Sequence, residues 1–409
     1  MIKVRIPFLL SMCLLTLVAR PVDPAQPRLQ DFDQAVAFVR RQYAWPERIE
    51  LDALVRTFRP RIAQAVSPEA FQRVLEGFLD GLGDAHSHLG SNRLDSWCLP
   101  PGQVAAEWRN GRAIVAAVWR GSDAERAGVQ SGMEILEWNG KPLAEALQER
   151  APRLPAHLHE DQARWRLNAL LAGRHNAGCR LTLREGATQR DLEIPADAPA
   201  DQSLPEPHLL AGQIGIIAFQ ELGSKTQIER IDAALARFPE ARAWVLDLRG
   251  LRVGGDTAVT VPIMGRFVDR PMIYAWMRRR NRKGLGKAWP EWVKPRGEVF
   301  RGPLVILVDA WTASAAEGLA MGLSGMGRGT AVGTRMAGLG AAVHSINLSH
   351  SGLRVQISSE PVFDLRHRPR TAFQPDIVVD LAASGDPILE AGLQEASRGL
   401  AESSQGMDR

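Results

Sequence analysis

Gly302-Pro-Leu-Val-Ile-Leu-Val-Asp-Ala-Trp-Thr-Ala-Ser-Ala-Ala-Glu317 is the stretch that decides the fold of this 409-residue chain. The apolar run Leu304 to Val308 predicts a buried strand of the parallel kind, covered on both faces. Asp309 stops it, and a turn of small residues leads into Ala315–Leu323, rich in helix formers. Ser314 therefore falls where a strand gives way to a helix, at the carboxyl edge of a sheet. In open α/β sheets that edge is where ligands and chemistry collect. A hydroxyl there lies at the positive end of a helix, beside backbone N–H groups that can hold an anion. The arrangement suits a serine nucleophile with the Ala315 N–H as an oxyanion donor. Ser314-Ala-Ala-Glu317 is equally a capping box, in which serine and glutamate only satisfy the first turn of a helix.

Composition bounds the rest. With 45% hydrophobic and 23% charged residues, the chain is long enough for two or three domains with their own cores. A net charge of +4, thinly spread, argues against nucleic acid as a partner. The basic run Arg278 to Lys287 reads as a solvated loop. Lys3 and Arg5 followed by the apolar stretch Ile6–Ala19, too short to span a bilayer, predict an export signal over residues 1–25. The expected location is periplasmic or secreted, with membrane contact only if that segment stays uncleaved. Leu10-Ser-Met-Cys13 departs from a lipoprotein box at the bulky Met12. Cys98 and Cys179 either pair in an oxidising compartment or remain buried thiols.

Apolar residues recur at helical spacing from Phe32 to Leu79, which predicts a bundle of three helices over 26–97 with turns at Pro46, Pro60 and Pro68. Gly81-Leu-Gly-Asp-Ala-His-Ser-His-Leu-Gly90 closes it. Residues 98–200 read as short strands, Val104–Trp108, Ala113–Trp119 and Met133–Trp138. The segment Val115 to Gly140 closely resembles the centre of a PDZ domain, with Ser122-x-Ala124-x-x-Ala127-Gly128 and a closing Asn139-Gly140 turn. Met133 stands where Asp is usual. PDZ domains add extended carboxyl-terminal peptides to a sheet edge, and the resemblance puts the carboxylate-holding loop at Gly102, Gln103 and Val104. From 201 to 397 strands and helices alternate: Ile214–Phe219, Ser224–Phe238, Ala243–Asp247, Ala258–Phe267, Leu304–Val308 and Ala315–Leu323. Ala331-Val-Gly and Leu353–Ser358 add strands, Pro375–Asp380 an edge segment and Asp386–Ser397 a last helix. That order predicts a βαβ sheet domain, followed by a tail over 398–409.

Three separated motifs resemble those of the S41 serine peptidases. They are Asp84-Ala-His86 after the bundle, Asp247-Leu-Arg-Gly250 with Gly254-Gly255, and Thr312-Ala-Ser-Ala-Ala-Glu317. Pro375-Asp-Ile-Val-Val resembles the family's closing segment. The resemblance implies an α+β multidomain fold: a helical bundle, a PDZ-like β-rich domain and a crotonase/ClpP-like α/β catalytic domain. It implies a serine endopeptidase acting on protein or peptide substrates. Ser314 would be the nucleophile, and Gly254 or Gly255 with Ala315 the oxyanion donors. The family's base is either a lysine downstream of the serine or a histidine. No lysine follows Lys294, so His86 is the expected base and His88 the alternative. With a histidine base, activity should rise with pH near about 6.5. Glu360 is the expected acid that orients the base. Leu251-Arg-Val makes the glycine turn one residue longer than the family's, and Arg368-Pro-Arg-Thr replaces its late glutamate. These departures motivate a catalytically inactive binding protein for peptides or apolar ligands. A crotonase-type acyl-thioester enzyme is the second alternative. No metal or other cofactor is expected, because the histidines lack ligand spacing and no phosphate-cradling loop occurs. A homo-oligomer stays open.

Overall fold

A computed structural model describes residues 25–407, apart from 92, 151–158, 197–203, 211–212, 253, 282–283 and 382–384. Residues 1–24 of the expected export signal lie outside the described residues. The strand Leu304–Val308 is buried along its whole length and sits inside a six-stranded sheet. The order across it is Ile377–Val378, Thr330–Gly333, Leu304–Val308, Ala243–Asp247, Ile214–Ala218 and His208–Leu210. Every pairing is parallel except the last. Alternate residues of a strand face opposite sides. Val305, Leu307, Val245 and Ile216 pack with Ile388 and Ala396 of the helix Pro387–Met407. Ile306, Val308 and Leu246 pack against the helices Thr226–Arg237, Thr257–Met264 and Ala315–Gly325 on the other face. A strand covered twice needs apolar residues at consecutive positions, which is why the run at 304–308 has no polar alternation. The last helix runs on to Met407 and takes in most of the residues expected as a tail.

Three helices open the described chain, Gln26–Gln42, Leu51–Gln64 and Pro68–Asp80. Ser67 caps the third by accepting from the Ala70 N–H. Pro60 does not make a turn as expected; it lies inside the second helix, near its end, where one lost backbone bond is tolerated. Phe32, Phe71, Leu75 and Phe78 form one core with Leu348 and with Val355 and Ile357 of a second, five-stranded sheet. That sheet joins His88–Leu89, Arg354–Phe363, Met272–Met277 and Trp289–Val293, with Ala341–Asn347 pairing to Arg354–Phe363. The bundle and the carboxyl-terminal half thus share apolar packing, and the histidine turn at 84–88 is held between them. The hairpin formed by 272–277 and 289–293 escaped the sequence reading, which took the basic run it encloses for a loop.

Residues 104–194 form a third sheet, ordered Val104–Arg109, Arg112–Val118, Glu134–Trp138, Cys179–Glu185 and Thr188–Ile194, around its own core. Asn139 and Gly140 both adopt positive φ, 52° and 73°, and turn the chain from Glu134–Trp138 into Lys141–Pro142. No disulfide joins Cys98 and Cys179.

Candidate active site

The turn after Leu304–Val308 is organised by a buried carboxylate. Asp309 accepts the amides of Trp311 at 2.9 Å and Thr312 at 3.0 Å, and that of Gly250 at 3.1 Å from the neighbouring strand end. The Thr312 hydroxyl donates to Leu248 O at 2.9 Å. Burial pushes the Asp309 carboxyl up to about 6. These bonds lock the loop that carries Ser314 to the Asp247–Gly250 turn. Two residues later Ser314 adopts φ 54° and ψ −112°, a conformation that non-glycine residues rarely take. Its N–H donates to the Glu317 carboxylate at 2.7 Å, one arm of the expected capping box. Gly318 N–H bonds Ser314 O and Ala316 N–H bonds Ala313 O, whereas the Ala315 N–H has no acceptor among the described residues. Gly254, at φ 69°, lies against the serine: a Cβ there would stand 2.7 Å from Ser314 Cβ and 3.4 Å from its Oγ. Only glycine permits that approach. The Gly254 N–H, expected as an oxyanion donor, bonds Leu251 O at 3.2 Å within the lengthened turn. Leu222 bridges to this turn through Gly254 O and the Asp256 N–H, and the Gly255 N–H stands outside that bridge.

Glu317 does more than cap. Its buried carboxylate also accepts the amides of Gly338 at 2.9 Å and Leu339 at 3.1 Å. Burial raises its pKa, while the nearby Arg370 guanidinium and the three amides oppose the shift. Arg370, 5% exposed, donates to the carbonyls of Leu339 and, at 3.4 Å, Ala341. His86 Nδ1 meets that same Ala341 carbonyl at 2.9 Å. Its backbone N–H is fixed by Asp84, whose carboxylate also takes the hydroxyls of Ser87 and Ser358.

The expected base is therefore buried, 8% exposed, and burial first, then Arg370, pushes its pKa down to about 3. The expectation of a value near 6.5 is corrected: desolvation penalises the imidazolium, and no carboxylate offsets it. No hydrogen bond joins His86 to Ser314 among the described residues. His88 sits on the short strand His88–Leu89, with Nδ1 on Leu89 O at 2.7 Å and Nε2 beside Gln356 at 3.1 Å. Glu360 does not orient His86. It is bound by the Arg279 guanidinium and lies 3.6 Å from His344 Nε2. Arg279 reaches it from the unexpected hairpin. Gly102, Gln103 and Val104 are not an open loop either. Gly102 O accepts the Trp311 indole, the Gln103 side chain binds Ala124 N–H and Pro195 O, and Val104 pairs with Val118. Among the described residues no three His, Cys, Asp or Glu side chains gather as metal ligands would.

The sequence reading missed Arg370 and Asp309 as parts of the site. Asp309 was legible as the polar stop of an apolar strand. Arg370 stood in a segment noticed only for the glutamate it lacks.

The profile of peptidase family S41 matches residues 211–379, the stretch that carries the glycine turn, Ser314 and Glu317. Those residues are an S41 peptidase-family domain. The chain is 26% identical over 312 residues to carboxyl-terminal-processing peptidase 3, chloroplastic, of Arabidopsis thaliana, covering 70% of this chain and 57% of that protein. It is 28% identical over 221 residues to the carboxy-terminal processing protease CtpA of Bacillus subtilis, covering 53% and 42%. The matches thus span about half the length of these two relatives. The crystal structure of mature CPAF superposes with a TM-score of 0.61 at 15% identity, over 91% of this chain and 96% of that one, a likeness of fold.

Proposed function

We propose that this protein is an exported serine endopeptidase that cleaves peptide bonds by acyl transfer. Ser314 Oγ attacks the peptide carbonyl, and its proton passes to His86 Nε2. The oxyanion is held by the Ala315 N–H and the Gly254–Gly255 turn, where the Gly254 N–H exchanges Leu251 O for the substrate oxygen. His86 then returns the proton to the leaving amine, and water hydrolyses the acyl-serine by the same route. The Ala341 carbonyl orients the base in place of a carboxylate. One observation carries this reading: Ser314 holds a strained backbone conformation, at a helix start, against a glycine that no side chain could replace. Strain of that kind costs about 1–3 kcal/mol and persists where surrounding structure enforces it.

The test is a fluorophosphonate probe on the purified protein, with the labelled residue mapped. Labelling at Ser314 that disappears in Ser314→Ala and in His86→Ala supports the mechanism, as does turnover of a denatured protein substrate. Loss of label in His88→Ala alone moves the base by two residues. A second reading, a binding protein on the peptidase fold, draws on Glu360 being held by Arg279 rather than by His86. Absence of both label and turnover in a folded protein would favour it.

A further inference from the structure

We propose that Arg370 is a positioning residue for the Ser314–His86 pair: its guanidinium holds the carbonyls of Leu339 and Ala341, and the Ala341 carbonyl holds the His86 imidazole. The inference rests on the acyl-transfer reading above.

A carbonyl oxygen only accepts, so the 2.9 Å contact from His86 Nδ1 to Ala341 O puts the ring proton on Nδ1. The lone pair is then on Nε2, where a base needs it. What keeps the carbonyl in place is the question. The segment Gly338–Ala341 offers its amides to one buried charge and its carbonyls to another. Glu317 takes the amides of Gly338 and Leu339, and it also takes the amide of Ser314. Arg370 takes the carbonyls, with Nε 2.6 Å from Leu339 O and Nη2 3.4 Å from Ala341 O. A continuous path of hydrogen bonds thus runs from Ser314 through Glu317, Leu339, Arg370 and Ala341 to His86. Placing a guanidinium out of water is costly; the buried Glu317 carboxylate nearby offsets its charge, while its hydrogen bonds go to the two carbonyls. A planar fork that spans two carbonyls is what lysine cannot copy.

Arg370 also carries charge to the ring. The other charges about His86 are engaged elsewhere. Asp84 is engaged by an amide and two hydroxyls, and Arg48 and Asp161, which line the same pocket as His86, pair with each other at 3.3 Å. Arg164 donates to Met336 O at 2.6 Å, and His88 bonds Leu89 O and Gln356. The guanidinium of Arg370 opposes the imidazolium from behind the segment, so the base stays neutral in acid.

Two variants separate positioning from packing, read in the full-length chain by NMR titration of the His86 ring and by steady-state turnover. Arg370→Gln removes the charge and half the fork. It should raise the His86 titration midpoint by about one pH unit or more and lower kcat by roughly tenfold or more, with KM within about twofold. Arg370→Lys keeps the charge and loses the fork. It should leave the midpoint near the wild-type value while kcat still falls. A His86 midpoint unmoved in a folded Arg370→Gln protein overturns the proposal. So does wild-type kcat in Arg370→Lys, the variant that decides the matter should Arg370→Gln not fold. A wild-type protein that takes no fluorophosphonate at Ser314 refutes the acyl-transfer reading instead, and leaves the titration result to be judged separately.

Discussion

The indole N–H of Trp311 donates to the carbonyl oxygen of Gly102 at 2.8 Å, tying the loop that carries Ser314 to the sheet of residues 104–194. Trp311 is 3% exposed and meets Trp119 edge to face, with ring centroids 5.2 Å apart. Arg252, from the lengthened glycine turn, lies 3.6 Å over Trp119 and donates to the same Gly102 oxygen at 3.1 Å. Ala105, Ala117 and Ala310 complete this small core. Two parts of the molecule therefore meet three residues before Ser314.

Trp311→Phe keeps most of the ring and removes the donor. It should cost about 1–2 kcal/mol of stability and, by loosening the loop, lower kcat/KM by roughly tenfold. Urea unfolding and turnover of a peptide substrate measure the two effects. An unchanged midpoint together with unchanged turnover would leave the bond without a role in either.

Gly254→Ala addresses the serine's other wall. The added methyl meets Ser314 Cβ at 2.7 Å, and the φ of 69° is itself strained for alanine. Activity should fall at least about a hundredfold, the scale of a lost oxyanion donor, with stability reduced by about 1–3 kcal/mol. Turnover near wild type would mean that the turn does not need to approach Ser314 so closely.

The strand-to-helix turn at Ser314 was legible in the sequence because it is local: an apolar run, an acidic stop, small residues and a helix, although the same residues read equally as a helix cap. The surroundings of His86 were not. Its ring partner is a backbone carbonyl 255 residues away, and a carbonyl has no sequence signature. Glu360 looked like an orienting acid because it follows a strand. Its partner Arg279 comes from a hairpin whose strands mix aromatic, charged and proline residues and show no clean alternation. Glu317 was read as a cap, which it is. That the same carboxylate also takes the amides of 338 and 339 follows from packing between two loops.

Asp309 should make stability depend on pH. Its folded pKa is raised from 3.8 to about 6, so its contribution is full below about 3.8 and is lost as pH rises through about 6. The loss is on the order of 3 kcal/mol at 1.36 kcal/mol per unit. Asp309→Asn does not titrate. The stability difference, wild type minus variant, should therefore shrink between pH 4 and pH 7 (approximate bounds set by those two values) and then level off. Chemical unfolding at stepped pH gives the curve, and a difference constant over that range would show that Asp309 ionises at an ordinary value.

His86 should act with the opposite sign. Its folded pKa is depressed from 6.5 to about 3, so its contribution is full above about 6.5 and is lost as pH falls toward 3. Below the unfolded value the wild type should lose about 1.4 kcal/mol per pH unit relative to His86→Gln. The same depression governs turnover. If His86 is the base, kcat/KM should stay level as pH falls through about 6.5 and decline only near the acid limit of the fold. Rates should be measured with circular dichroism at each pH, so that loss of base is told apart from loss of structure. A rate that halves near pH 6.5 (the unperturbed value) while the fold holds would assign the base to a histidine in water's reach. His88, half-buried beside Gln356, would then be the residue to substitute next.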